Sequence, residues 1–515
     1  MDLSEHRREY AAFCAASERA RYEHHAGLTP ALDLAPARER YADLWRRERI
    51  EDLKRAEEQT PAQFETERAG VRALRRAAEL QYLDASTREV SAELERCAAA
   101  SHVDWNGLKL TTETAASVIA SEPDAARRGE LAARLADASA PCDDLRAARL
   151  EASAEASRSL GYADARAHRE SLSGTDLSAL AAGAKYLLER TARAYEPHLA
   201  EWVARENFAH ERGGVSGSRG GPTRADALYF ERAATLDAHF PARRLRAAYV
   251  ETLEGLGVRA GRQENVLLDD AERPTRSARP AAFAVRAPED VRLSFKKTEG
   301  GASVFRELFR EAARAQHFAW ASRDAAARHP EFIHAPANAT PEGHAALFAG
   351  LFRDPAWLAS AGTFPRADDV HTAARRFALT DLYEARRLCA LARYALSFWE
   401  AGDARSEQLA NEYAALLTEA TGFRHDAATS LSDADEAVRA SERLRARLFA
   451  SSLAEHLRSR HGRRWFDSRA AGGELVDVWN TASRYDVEEL ARLAWGGTLD
   501  FDLLAETLTT AVGGG

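Results

Sequence analysis

The stretch Gly300-Gly-Ala-Ser-Val-Phe-Arg-Glu-Leu-Phe-Arg310-Glu311-Ala-Ala-Arg314-Ala-Gln-His317-Phe-Ala-Trp320, followed by Thr340-Pro-Glu342-Gly-His344-Ala-Ala-Leu-Phe348, decides the fold. The spacing predicts a central helix over 303–322. On it, positions 310, 314 and 317 stand at i, i+4 and i+7, so Arg310, Arg314 and His317 share one stripe. Glu311 lies about 100° round from Arg310. A second helix over 342–352 carries Glu342 and His344.

Histidine at 310 and 314 would turn this stripe into a His-Glu-x-x-His helix. That motif sets two imidazoles one turn apart on a metal, with a general-base Glu beside them and a later carboxylate as third ligand. Here both imidazole positions hold Arg, whereas both Glu positions, 311 and 342, are kept. The string Leu308-Phe309-Arg310-Glu311-Ala312-Ala313-Arg314-Ala315-Gln316-His317-Phe318-Ala319 resembles the thimet-oligopeptidase/oligoendopeptidase F family of zinc metallopeptidases. The core of that family reads Leu-Phe-His-Glu-Ala-Gly-His-Ala-x-His-Phe-Ala, then Thr-Glu-Gly-Tyr-Ala. The second half is matched by Thr340-Pro341-Glu342-Gly343-His344-Ala345. A weaker match is Arg439-Ala-Ser-Glu-Arg443-Leu444-Arg445-Ala446-Arg447, against Tyr-x-x-x-Tyr-Leu-Arg-Ala-Trp. There both family tyrosines, which help bind substrate, are replaced by Arg.

The resemblance implies a mainly helical, zincin-like oligopeptidase fold with one small sheet and a deep channel between helical lobes. It also implies a zinc cofactor, but the ligands are lost. A guanidinium stays protonated and offers donors without a lone pair, so Arg cannot replace the imidazoles as a ligand. It can replace the metal electrostatically. Arg310 and Arg314 are expected to pair with Glu342, with Glu311 as a further partner, in a charge-assisted network. Glu311 keeps the general-base position and, without a metal-bound water, stands idle. Arg310, Arg314, Glu342, His317, His344, Arg439 and Arg443 are the candidate ligand-binding residues; no residue is assigned to a metal. The plainer role for His317 is hydrogen-bonded packing. Glu342 and His344 lie about 200° apart on a helix, and Glu311 and His317 about 120°, so neither pair makes a chelate.

Composition agrees with an all-α class: Ala, Arg, Leu and Glu dominate the 515 residues, and 45% are hydrophobic. The net charge of −9, without a basic run, excludes a nucleic-acid binder of the usual kind. No apolar run reaches the ~18 residues of a membrane span. The charged start Met1-Asp-Leu-Ser-Glu-His-Arg-Arg8 does not read as a signal peptide. Cys14, Cys97, Cys142 and Cys389 have neither metal nor redox spacing and read as thiols of a reducing compartment, so the expected place is the cytoplasm.

Along the chain, residues 1–222 are expected to form an N-terminal helical lobe and 223–515 a catalytic-type lobe. Trp105-Asn-Gly107 and Ala471-Gly-Gly473 read as turns, and Gly213-Gly-Val-Ser-Gly-Ser-Arg-Gly-Gly-Pro222 as a flexible loop. The one strand pair is Ala281–Ala287 with Val291–Lys297. In the resembled family the edge of this sheet can receive a peptide backbone, a general mode of recognition. Helices are expected again over 369–512. The functional expectation is a pseudo-peptidase that binds a peptide or a small anionic ligand. The alternatives are a non-zinc enzyme with Glu311 as base, and a residual metallopeptidase.

Overall fold

The computed structural model describes residues 2–205 and 221–513; the glycine-rich stretch 213–220 lies outside the described residues. The protein is mainly helical. It carries two small sheets where one was expected. The chain forms two compact units, each assembled from three separate stretches rather than from consecutive halves meeting at 222/223. One unit comprises Met1–Tyr82, Leu236–Ala374 and Arg445–Asp500; the other comprises Leu83–Thr235, Arg375–Leu444 and Phe501–Gly515.

The first unit is organised around the helix Ala302–Ala319, the central helix. Its sequence is rich in Ala, Arg and Glu, all strong helix formers. Its start is fixed from outside: Gly301 sits at φ +100°, and the Asp237 carboxylate accepts a hydrogen bond from the Ala302 amide at 2.8 Å. Phe305, Leu308, Phe309, Ala312, Ala313 and Ala315 are buried along it. Phe305 meets Phe240 edge-on at 5.2 Å between ring centroids, and Phe309 meets Trp357 at 4.9 Å. Each such aromatic side chain contributes roughly 1.5–3 kcal/mol by leaving water. The helix Thr340–Ala349 packs along the central helix. Pro341 suits its first turn, and Glu342 there is favoured by the helix dipole.

The sheet beside the central helix has three strands. We number all strands in chain order: β1 (His102–Trp105), β2 (Leu108–Thr111), β3 (Val266–Asp269), β4 (Ala281–Arg286) and β5 (Asp290–Ser294). The expected strand pair is β4 and β5, antiparallel with Ala282 opposite Leu293. The added strand is β3, which runs parallel to β5, so the order is β3-β5-β4. Val285, Val291, Leu293 and Phe295 are fully buried there. The sequence Ala471-Gly-Gly473, read as a turn, lies inside the helix Arg469–Asn480. A Cβ on Gly472 would stand 1.7 Å from the Leu256 carbonyl oxygen, so this glycine serves a close backbone approach and not a reversal of the chain.

In the second unit, Trp105-Asn-Gly107 is the tip of a β1–β2 hairpin. Asn106 and Gly107 both have positive φ, +52° and +79°, as a two-residue loop with the strand twist requires. Val103, Trp105 and Leu110 of the hairpin join Ala115, Ile119, Leu131 and Ala225 in one core cluster. Cys97 and Cys142 form a disulfide, which corrects the expectation of scattered thiols; Cys14 and Cys389 lie outside the disulfide, and both are buried. Among the described residues, no helix is long and apolar enough to cross a membrane.

Candidate functional site

The central helix and the helix Thr340–Ala349 bring four of the singled-out side chains together. Arg310 Nη2 donates to Glu342 Oε2 at 3.2 Å. Arg314 donates through one terminal nitrogen to Glu342 Oε1 and through the other to Glu311 Oε1. The second oxygen of Glu311 accepts the backbone amide of Ala282, on edge strand β4, at 2.9 Å. Glu307, one turn before Arg310, completes the set with an ion pair at 3.7 Å. The chain of contacts therefore runs Glu307, Arg310, Glu342, Arg314, Glu311 and the amide of Ala282. It ties the two helices and the sheet to one another.

Exposure is graded across this network. The Glu311 side chain is 7% exposed, Arg310 and Arg314 are 16% and 22%, and Glu342 and Glu307 are 32% and 42%. Carboxylates thus face water on the outside, with guanidiniums beneath them and Glu311 deepest. Three carboxylates and two guanidiniums leave one surplus negative charge within this set when all are ionised. Removal from water pushes the Glu311 carboxyl up to about 7, helped by Glu307 and Glu342 and opposed by Arg314 and the Ala282 amide. Protonation of Glu311 removes the surplus charge. Burial works against the charge on Arg314 as well, but its flanking carboxylates more than offset this and hold its pKa above the ordinary value.

His317 and His344 lie deeper, both fully buried. Their ring centroids are 5.2 Å apart. His317 Nε2 is 3.3 Å from Ser483 Oγ. Neither ring nitrogen of His344 has a hydrogen-bond partner among the described residues; its ring meets Phe449 and Trp479 edge-on at 5.6 and 6.2 Å. Loss of solvation lowers His317 to about 3 and takes His344 well below its ordinary value, so both are neutral at pH 7. Gly343, between Glu342 and His344, permits this approach: a Cβ there would lie 2.5 Å from Phe449 Cδ1.

Arg439 and Arg443 belong to the second unit, on the first part of the helix Ala434–His461. Arg439 is exposed and donates through Nε to the Asp435 carbonyl of its own helix at 3.3 Å. Arg443 is half-buried. Sequence reasoning missed four contributors in the first unit: Glu307, the Ala282 amide, Ser483 and Asp237. Only Glu307 had a signal, its i, i+3 spacing to Arg310. The other three come from distant parts of the chain.

The residues here do not fit a zinc ion. The two helix positions that would supply imidazoles present guanidiniums, which have no lone pair and are engaged with Glu342 and Glu311. Among the described residues, no three His, Cys, Asp or Glu side chains are grouped so as to hold a metal ion.

No family model and no curated protein matches the sequence. Solved structures do match in three dimensions. A putative oligoendopeptidase F aligns over 96% of this chain and 89% of its own, with a TM-score of 0.65 and 14% identity. A carboxypeptidase from Pyrococcus furiosus aligns over 98% and 97%, with a TM-score of 0.62 and 15% identity. An M32 carboxypeptidase from Deinococcus radiodurans R1 aligns over 99% and 98%, at 0.57 and 13%. At such identities the likeness concerns the fold alone. The chain has the helical, zincin-like fold of these metallopeptidases.

Proposed function

We propose that this chain is a pseudo-peptidase: a protein with a metallopeptidase fold that binds a peptide without cleaving it and without zinc. The observation that carries this reading is the saturation of the site by its own side chains. Arg310 and Arg314 converge on Glu342, and both oxygens of Glu311 are taken, one by Arg314 and one by the Ala282 amide. A hydrolytic base must hold a water, and zinc supplies both that water's acidity and the polarisation of the carbonyl. The network supplies neither. It instead supplies a rigid, nearly neutral floor joining two helices and a sheet edge. Because both guanidiniums already face carboxylates, a peptide is a better ligand for this floor than a small anion.

The test uses fluorescently labelled peptide libraries. Saturable binding, with every bound peptide recovered intact, is the expected result. Cleavage that disappears in Glu311→Gln would overturn the proposal.

A second reading rests on the Glu311 carboxyl, whose pKa near 7 suits a general base at neutral pH. In that reading the chain is an enzyme with non-zinc chemistry. The base would have to leave Arg314 or the Ala282 amide to reach a substrate proton. Turnover of small anionic metabolites, with a pH–rate limb near 7 that vanishes in Glu311→Gln, would favour it over the first.

A further inference from the structure

The disulfide of the second unit has a position that suggests a role. Cys97 lies in the last turn of the helix Glu65–Ala100, and Cys142 closes the short 3-10 turn Ala140–Cys142 before the helix Asp143–Ser159. Around Cys97, the residues Glu93, Glu95, Arg96, Ala99 and Ala100 are all exposed, while Cys97 itself is half-buried. Cys142 is fully buried. On the face that carries Cys97, Leu94 and Ala98 are half-buried as well, so the end of this long helix rests on shallow apolar packing, and the bridge to a buried anchor adds a covalent hold. The hairpin that follows is held differently, through Val103, Trp105 and Leu110 in the core cluster.

The remaining thiols are shielded. Cys14 is buried, and loss of solvation pushes its thiol up to about 12; Cys389 is fully buried. Thiolate, not thiol, is the reactive form, and it needs access. A redox change in the folded chain is thus confined to one pair.

We propose that Cys97–Cys142 is a redox-operated clamp on the end of this helix. A dithiol reductant attacks the more accessible sulfur, Cys97 Sγ. The S–S bond breaks and Cys142 leaves as thiolate, taking a proton. The second thiol of the reductant then displaces Cys97 from the mixed disulfide. Two electrons and two protons pass to the chain, giving two cysteine thiols, and the reductant becomes its cyclic disulfide. Reduction releases the last turns of the helix and leaves the hairpin in place.

The experiment treats the full native chain with dithiothreitol/oxidised dithiothreitol mixtures, quenches with an alkylating reagent and measures intact mass, with amide hydrogen exchange on the same samples. Labels should appear two at a time, on Cys97 and Cys142 only. Exchange should rise at least tenfold over residues 94–101 and stay unchanged over 103–110. The Cys97→Ser/Cys142→Ser chain should exchange like the reduced protein and ignore the reductant. Free thiols at 97 and 142 in the air-oxidised chain would overturn the proposal. So would labelling of Cys14 or Cys389 alongside them, or exchange unaltered by reduction.

Discussion

Arg310 and Arg314 differ from imidazoles at the same positions in what they ask of their neighbours. An imidazole pair would draw Glu342 toward a shared cation; a guanidinium pair is itself the cation. Glu342 then balances two charges, through Arg310 at 3.2 Å and through Arg314. Glu342→Ala should lower stability by about 1–3 kcal/mol, less than the ~3–5 of a fully buried pair because water screens part of the loss. Urea denaturation is the check, and an unchanged midpoint would mean that the network is ornamental. Glu311 adds a pH signature. Its folded pKa of about 7 exceeds the ordinary 4.5, so the folded state holds its proton more tightly. The resulting stability is full below pH 4.5 and is lost as pH rises through 7. Glu311→Gln should therefore gain stability relative to the native chain at pH 8 and not at pH 4.5; equal profiles would contradict the burial argument. The pairing of Arg310 and Arg314 with Glu342 is what the resemblance to the zinc-peptidase motif implies, with Glu342 at the third-ligand position and charge deciding the rest. The Ala282 amide was illegible, because no local signal says which backbone donor a buried carboxylate will find.

At the scale of elements, the central helix was the most legible part of the chain, since its stripe is local; the Asp237 carboxylate that fixes its start is not. The pair β4–β5 was legible for the same reason: two short runs joined by a turn. Strand β3 was not, because a parallel partner is set by tertiary packing and leaves no turn between the strands. Gly472 was misread because a glycine at a close approach looks like a glycine in a turn until the neighbour is known. Gly343 makes the same point at the site. Gly343→Ala would set a methyl 2.5 Å from Phe449 Cδ1, so the ring has to move. The expected loss is about 1–3 kcal/mol, the usual range for overpacking. Thermal denaturation followed by circular dichroism would show it, and an unchanged melting temperature would mean that the Thr340–Ala349 helix is loosely seated.

Over the whole molecule, among the described residues, burial lowers the pKa of six histidines, His25 and His334 among them, and of four of the six most strongly. Loss of solvation takes His6 to about 4, His317 and His425 to about 3, and His344 well below the ordinary 6.5. In the unfolded chain these groups bind protons from pH 6.5 downward, and in the folded chain they do not. Between pH 6.5 and 4.5 their four contributions outweigh the opposing one from Glu311, so stability should fall steadily on acidification. A urea midpoint flat from pH 7 to pH 5 would contradict this. The disulfide was hidden from sequence reasoning because Cys97 and Cys142 are 45 residues apart and belong to no spacing pattern. The two-unit division was hidden too, because each unit draws on three stretches of chain that only tertiary contacts collect.

The most direct test of the central claim is the metal content of the untagged native chain, by inductively coupled plasma mass spectrometry after purification in zinc-supplemented buffer. If Arg310 and Arg314 replace the metal, the chain should carry far less than one zinc per molecule. One chelator-removable zinc per chain would contradict the account and return this fold to metal-dependent chemistry.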